Sequence, residues 1–409
     1  MLSTDRPWEN PNERILPVTV NWASKLRHSF EFKTDIITTD DGTEQRRAVR
    51  NEPRQVLEFD AAQTGEDMRE IQDFLVQYQT DRLVMANPID VGRSVVAMAP
   101  GSIVMPIDVR KTWMIAETEV ILRHGRRMET RTIAAVNQNA GVWTITFVES
   151  SGANWPVGTY VHRVMRGRIG SNLSSSHLTT RAMTMPLKFS LEVGTDLYIP
   201  TPVNPANLVG SREIWRKVPN WRNGVDVDYE YLREELDYSF GRQDYYTPNK
   251  LPNRVIKGDY IGMNYTDVNE VISFFVRHKG RRNAFLFMTG EDDIPYNAIV
   301  GGLPFISVSG QKFGRYYADN RIYRRVGLRM FAGNTVHGLI DQILFNPDTD
   351  TSVINLRDNL PIGIYNQSTM HGVSWVLACR MGSDRLDIDW LTDERAQFSL
   401  TFQSLENDE

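Results

Sequence analysis

The chain has 409 residues, of which 41% are hydrophobic and 24% charged, and its formal net charge is −5 at pH 7. This composition excludes a mainly disordered chain, and the mild acidity does not suit a dedicated nucleic-acid coat, although a local basic patch remains compatible with it. No stretch offers the roughly 18 apolar residues of a membrane helix, and the first residues lack the apolar core of a secretory signal, so we predict neither membrane insertion nor a signal peptide.

The first 200 residues are predicted to form strands around one helix. Apolar residues at helical spacing indicate a helix at residues 65–79, with Thr64 as its cap and acidic residues in its first turn. Short strands and turns indicate a small inserted barrel or sandwich at residues 93–170. The other strands are predicted where β-branched and aromatic residues alternate with polar ones, at residues 18–22, 30–32, 54–59, 83–86 and 185–191.

A linker and a second, similar segment follow. Residues 198–205 carry three prolines, which is typical of a semi-rigid extended linker. Beyond the linker we predict a helix that is capped by Thr266 and ended by Gly280 after basic residues. A β-rich region inserted at residues 295–390 and a closing strand at residues 397–402 complete this segment.

The two segments share residues at a nearly constant shift of about 200 positions, which is the pattern of an internal repeat. The matches are Asn21-Trp22 with Asn220-Trp221, Gly42 with Gly241, Pro53 with Pro252, and residues 67–76 with residues 267–276. We therefore predict two tandem copies of one domain, at residues 1–200 and 201–409, in an α+β, mainly β fold in which each copy is a sheet or barrel with one packed helix. Two unrelated domains with chance similarities are the alternative.

Catalytic motifs are scarce, so we predict that the protein is not an enzyme and has no catalytic residue, cofactor site or metal site. The histidines are isolated, and three acidic clusters, at residues 291–293, 348–350 and 384–389, are interpreted as solvated loops. Basic clusters such as the one at residues 277–282 are interpreted as solvated faces or subunit salt bridges, or as the lining of a DNA channel. The single cysteine, Cys379, lies in an apolar run and is predicted to be buried and inert.

Several short motifs resemble a family of small tail proteins of siphophages and gene transfer agents, which includes the distal tail proteins. In the first copy they are FEFKTDI at residues 30–36, GTEQR at 42–46 and Pro53-Arg54. In the second copy they are HKGR at residues 278–281 and AFLF at 284–287. The first copy has no Gly-Arg turn after its helix, and the second copy has Gly241-Arg-Gln-Asp in place of GTEQR.

The resemblance implies a structural virion protein at the tail tip, made in the host cytoplasm, with tail-tube-like domains. Such a protein forms a ring of three or six copies of itself between the tail tube or terminator and the hub and fibre proteins, and DNA passes through the lumen only as cargo. Family rings have six-fold symmetry at the tube and three-fold symmetry toward the tip, so three chains with two domains each make a pseudo-hexameric ring. The implied interface or fold-determining residues are Trp22, Gly42, Glu44, Arg46, Pro53 and Arg54 in the first copy, and Trp221, Gly241, Pro252, Gly280 and Arg281 in the second.

A second interpretation is a tail protein that binds or cleaves host carbohydrate. It depends on the many aromatic residues and on the inserted β regions, where Trp155 is the candidate sugar platform. A cleaving enzyme of this kind needs two carboxylates about 5 to 10 Å apart in one cleft.

Overall fold

A computed structural model describes residues 14–39, 43–192, 198–231, 233–241, 243–246, 252–318, 322–332 and 334–405. Strands make up 51% of the described residues and helices 10%. The predicted α+β, mainly β class is therefore confirmed. We call the residues before the proline-rich linker the first half and those after it the second half.

The described residues of the first half contain one α-helix among their strands. In chain order these are β1 (Leu26–Glu31), β2 (Thr34–Thr38), β3 (Glu44–Ala48), β4 (Arg54–Thr64), α1 (Glu66–Tyr78), β5 (Leu83–Ala86), β6 (Gly92–Arg93), β7 (Val104–Ile107), β8 (Glu119–His124), β9 (Arg127–Asn139), β10 (Val142–Phe147), β11 (Tyr160–Ile169), β12 (Ser176–Thr179) and β13 (Ala182–Leu191).

The second half has a short additional helix. Its elements are β14 (Leu208–Val209), β15 (Arg212–Trp215), β16 (Val225–Glu230), β17 (Glu234–Asp237), β18 (Gln243–Tyr246), β19 (Asn253–Gly262), α2 (Tyr265–His278), β20 (Phe285–Met288), β21 (Tyr296–Val300), β22 (Phe305–Ser309), α3 (Gln311–Tyr317), β23 (Arg325–Met330), β24 (Thr335–Asn346), β25 (Thr351–Leu356), β26 (Ile364–Tyr365), β27 (Met370–Met381), β28 (Arg385–Trp390) and β29 (Ala396–Ser404).

The two halves pair their strands in the same order. In the first half β1 pairs with β4, β4 with β13, β13 with β11 and β11 with β5, all antiparallel. In the second half β16 pairs with β19, β19 with β29, β29 with β27 and β27 with β20, again all antiparallel. The registers correspond as well, since Leu57 faces Phe189 and Ile256 faces Phe402. Tandem duplication as the origin of this correspondence stays a prediction.

Both predicted helices form, but their caps differ from the prediction. No side chain caps α1, which begins after Gly65, so the predicted role of Thr64 is wrong. In α2 the side chain of Asn264, and not that of Thr266, accepts a hydrogen bond from the Asp267 N–H at 2.9 Å. The cap must precede the first helical turn for its oxygen to reach these N–H groups, and Thr266 already lies inside that turn.

A smaller β body is inserted into each half. In the first half β6 to β10 enclose a core of their own, which includes Trp113, Ile145 and Trp155. The long strand β11 leaves this body, because its beginning pairs with β8 and its end with β5. In the second half β27 pairs first with β23 and then with β20 in the same way. β28 belongs to the central sheet, although it lies within the predicted inserted region 295–390.

The main hydrophobic core belongs to both halves. It contains Phe30 and Phe32 of the first half together with Phe275 and Trp390 of the second. The rings of Phe32 and Phe275 lie 5.7 Å apart between centroids. Cys379 is part of this core, where burial raises the pKa of its thiol well above the usual range, so the predicted buried thiol is confirmed. The predicted boundary between residues 200 and 201 therefore divides the sequence but not the packing.

Candidate subunit interface

The central feature of the molecule is the junction between the two halves. β1 pairs antiparallel with β28 over its whole length, from Leu26 opposite Trp390 to Glu31 opposite Arg385. β1 forms the edge of the first-half sheet, and an edge strand carries a row of unpaired backbone N–H and C=O groups that can pair with another strand. Here β28 of the second half covers that edge, so the two sheets become continuous.

A hairpin from the first half reinforces this junction. We call the paired strands β2 and β3 the first arm. Glu44 of the first arm accepts two hydrogen bonds from the Arg380 guanidinium on β27, at 2.7 Å from Nε and 2.8 Å from Nη2. The exposed fractions of the two side chains are 9% and 6%. A bidentate pair this deeply buried fixes the orientation of both partners, and breaking it leaves a buried charge without its hydrogen-bonded partner.

Asp384 holds three segments together in the turn before β28. Its carboxylate accepts hydrogen bonds from Thr34 of the first arm, at 2.7 Å from the backbone N–H and 2.9 Å from Oγ1. It also accepts a hydrogen bond from the Arg281 N–H at 2.9 Å, and Nη2 of Arg281 lies 3.4 Å away. The predicted solvated loop at residues 384–389 is therefore wrong for Asp384, because its oxygens satisfy partly buried donors from both halves.

Gly280 is required where it lies. It adopts a φ of +61°, which is in the left-handed region, and a Cβ at this position would stand 2.6 Å from Oδ1 of Asp384. Lys279, with a φ of 52°, precedes it at the end of α2. The predicted residues Gly280 and Arg281 thus lie together at the junction, where the tight turn brings the Arg281 N–H to Asp384.

Trp22 and Trp221 occupy equivalent turns. Each follows an asparagine whose N–H donates to an aspartate carbonyl of the neighbouring strand, Asn21 to Asp60 at 2.8 Å and Asn220 to Asp259 at 2.6 Å. The two indoles are 37% and 50% exposed. These turns begin the same strand in both halves and leave an aromatic surface free for contact.

The remaining predicted residues are dispersed. Gly42 lies outside the described residues. Nε of Arg46 is 3.9 Å from Glu44, and Arg54 faces Glu31 across the β1–β4 pair. Pro53 directly precedes β4, and Pro252 directly precedes β19. Gly241 takes a φ of +80° in the turn between β17 and β18. The sequence did not predict Arg380 and Asp384, which contact the predicted residues Glu44 and Arg281 respectively.

The acidic cluster at residues 291–293 is also structural. Asp293 accepts a hydrogen bond from the Trp375 N–H at 3.1 Å and one from the Thr289 hydroxyl, and Asp292 accepts one from the Val373 N–H at 3.2 Å. These bonds attach the beginning of the inserted body to β27. The interpretation of this cluster as a solvated loop is therefore wrong.

Trp155 does not form a sugar platform. It is buried in the core of the first inserted body, and its Nε1–H donates to Ser151 Oγ at 2.9 Å and to Glu129 Oε2 at 3.1 Å. A sugar-stacking residue needs an exposed ring face, so Trp155 cannot be such a platform, and the carbohydrate interpretation, which also depended on the other aromatic residues, stays a prediction.

A buried histidine in β1 makes the junction sensitive to acid. His28 lies between Leu57 and Ile388, and burial lowers its pKa to about 3. Because the folded-state pKa is below the ordinary value of about 6.5, the unfolded chain binds the proton more tightly. The contribution of neutral His28 to the free energy of unfolding is therefore complete above pH 6.5 and is lost as the pH falls toward 3.

We therefore expect the His28→Leu variant to have a flatter pH profile than the parent protein. Between pH 7 and pH 5 its free energy of unfolding should fall by about 2 kcal/mol less. Urea titrations at a series of pH values measure this difference. The other buried histidines are common to both proteins and cancel in the comparison, and parallel profiles would contradict the assignment.

Two edges that correspond to the covered ones remain open. Among the described residues β16, the counterpart of β1, pairs only with β19, and β12, the counterpart of β28, pairs only with β13. The segment at residues 172–175 that leads into β12 is irregular and mostly exposed. The two edges of the continuous sheet are thus β16, which corresponds to β1, and β12, which corresponds to β28. Each edge therefore presents one of the two strand types that pair with each other at the junction.

No helix of the described part is long and apolar enough to cross a membrane, and those residues contain no group of three or more His, Cys, Asp or Glu that could hold a metal ion. The sequence matches no protein-family model and no curated protein.

Proposed function

We propose that the protein is a structural component of the tail tip of a long-tailed phage, where copies of the chain join into a ring between the tail tube and the hub and receptor-binding apparatus. The observation that carries this proposal is the β1–β28 junction together with its two open counterparts. The same contact that joins the halves within one chain can be repeated between chains, with β16 of one copy against the β12 side of the next.

The register of this contact follows from the strand correspondence. Asp226 faces Lys257 as Arg27 faces Glu58, and His177 faces Met183 as Trp390 faces Ala396. Repeating the internal junction between copies places Val225 opposite His177 and Glu230 opposite Asn172. Because the two joined edges differ, the contact is heterologous. Repeated heterologous contacts produce a closed ring when the rotation from each copy to the next adds up to a full turn.

The assignment to a phage tail depends on the sequence resemblance to tail proteins as well as on this geometry. Three chains would place six sheet units in one ring, which suits the junction of a six-fold tube with a three-fold hub. The partners would be the tube or terminator above and the hub and fibre proteins below, with DNA as cargo. The shared core and the buried ion pairs support a rigid building block better than they support a catalytic cleft.

Proline at the proposed edge tests this function. We expect the purified protein to form closed rings in electron micrographs, with a mass of three or six chains. The double variant Ser174→Pro/Ser175→Pro removes two adjacent N–H groups, one of which must face the neighbouring strand, so this variant should stay monomeric while keeping its thermal unfolding transition.

The control carries the same change away from the edge. Glu149→Pro/Ser150→Pro alters an exposed turn of the first inserted body and should leave the ring intact. A parent protein that stays monomeric at all concentrations would overturn the proposal. Rings that persist in the 174/175 variant would show that the copies meet elsewhere.

A further inference from the structure

A second hairpin projects from the molecule with its surface exposed. We call β17, β18 and their turn the second arm. Every described residue of its two strands is exposed, and Phe240 in the turn is 95% exposed. The first arm, its counterpart, instead has buried or half-buried residues along both strands, because it packs on the second half. Tyr238, Tyr245 and Tyr246 of the second arm are also about half exposed, and an exposed aromatic patch of several residues marks a contact with a partner, whereas a single exposed ring would not.

The place where the first arm docks has a counterpart in the first half. Arg380, which the first arm covers, faces Gln403, and Gln403 faces Val255. Arg168 faces Ser190, and Ser190 faces Val56, at the same positions of the first-half sheet. Arg168 is therefore the counterpart of Arg380, but it is exposed, and its Nη1–H donates to the Thr80 carbonyl at 3.0 Å.

The charges of the second arm and of this surface are complementary. In the first arm Glu44 faces Thr38, and at the corresponding position of the second arm Gln243 faces Asp237. Each of these two residue pairs therefore contains one carboxylate, on Glu44 in the first arm and on Asp237 in the second. The second arm and its approach carry further acids, namely Glu230, Glu234, Glu235 and Asp244. The surface around Arg168 adds Arg82, whose side chain is 58% exposed and forms an ion pair with Glu192 at 2.7 Å, so Arg168 is the cation on which the complementarity depends.

We propose that the second arm of one copy docks across the first half of the neighbouring copy, with its Asp237–Gln243 pair over Arg168. The inference rests on the proposed ring, in which β16, the strand before this arm, lies against the same neighbouring half. The occupant of the Arg168 surface is thus a second copy of this chain. The contact repeats between chains what Glu44 and Arg380 do within one.

Site-specific cross-linking tests this contact. Gln243→Cys and Arg168→Cys are combined in one chain, and the assembled protein is treated with a short bismaleimide; Cys379 is buried and does not react. We expect covalent dimers and higher multiples on a denaturing gel. The matched control combines Gln243→Cys with Arg110→Cys, an exposed arginine of the first inserted body, and should remain monomeric on the gel.

Charge reversal gives a second measurement. Arg168→Glu should raise the protein concentration at half-assembly roughly tenfold or more, and Asp237→Arg in the same chain should restore it. Rings that form normally without the 243–168 cross-link, or that ignore both charge changes, would overturn the arm contact and leave the ring proposal standing. Absence of any assembly of the unsubstituted protein would overturn both.

Discussion

Arg380→Gln is expected to lower the free energy of unfolding by about 3 kcal/mol, because Glu44 would remain buried with only Arg46, at 3.9 Å, to compensate its charge. Both hydrogen bonds of the pair cross between the halves, so the loss acts on the junction itself. Urea denaturation followed by tryptophan fluorescence measures the change. A single transition should persist, since the core is common to both halves.

Two further variants separate this effect from a general loss of packing. Replacing both partners with apolar residues, as in Glu44→Leu/Arg380→Met, should recover most of the stability, because the buried carboxylate and the buried guanidinium that paired with it are removed together. Removing the exposed pair between Lys188 and Glu58 should cost less than about 1 kcal/mol. A double variant as unstable as Arg380→Gln would show that shape, and not charge pairing, holds the first arm.

Asp384→Ala should cost about 3 to 5 kcal/mol as well, because it leaves the N–H groups of Thr34 and Arg281 without an acceptor in a partly buried place. The loss should also expose the first arm, and hydrogen exchange at residues 34–38 reports this opening directly. The chemical denaturation midpoint gives the magnitude.

The controls use the same residue types. Asp384→Asn keeps one carbonyl oxygen and should be intermediate, whereas Asp348→Ala, in an exposed acidic turn, should change stability by less than about 0.5 kcal/mol. Equal effects at positions 384 and 348 would rule out the bridging role that the structure assigns to Asp384.

The acidic clusters illustrate how far local sequence reasoning reaches. Clusters of aspartate are usually solvated, and the sequence around residues 291–293 and 384–389 contains nothing that contradicts this. The donors for Asp384 come from Thr34 and Arg281, which are 350 and 103 positions away along the chain. A pattern within a short window cannot reveal such partners, and neither could the apolar run around Arg380, whose partner Glu44 is 336 positions away.

By itself the sequence determined the mainly β class, the two helices, the strands directly beside them and the buried state of Cys379. These depend on local periodicity, because alternation and helical spacing decide which face of an element is apolar. The strand predicted at residues 18–22 was wrong, because only Val20 makes an isolated bridge there before the turn at Trp22. Only the tertiary structure decided that β1 and β28 join the halves, that Glu44 meets Arg380, and that β16 and β12 stay open. Pairing at a sheet edge uses backbone N–H and C=O groups, which almost every residue carries, so the sequence of an edge strand does not identify its partner. The partner is determined by which distant segments the folded chain brings together.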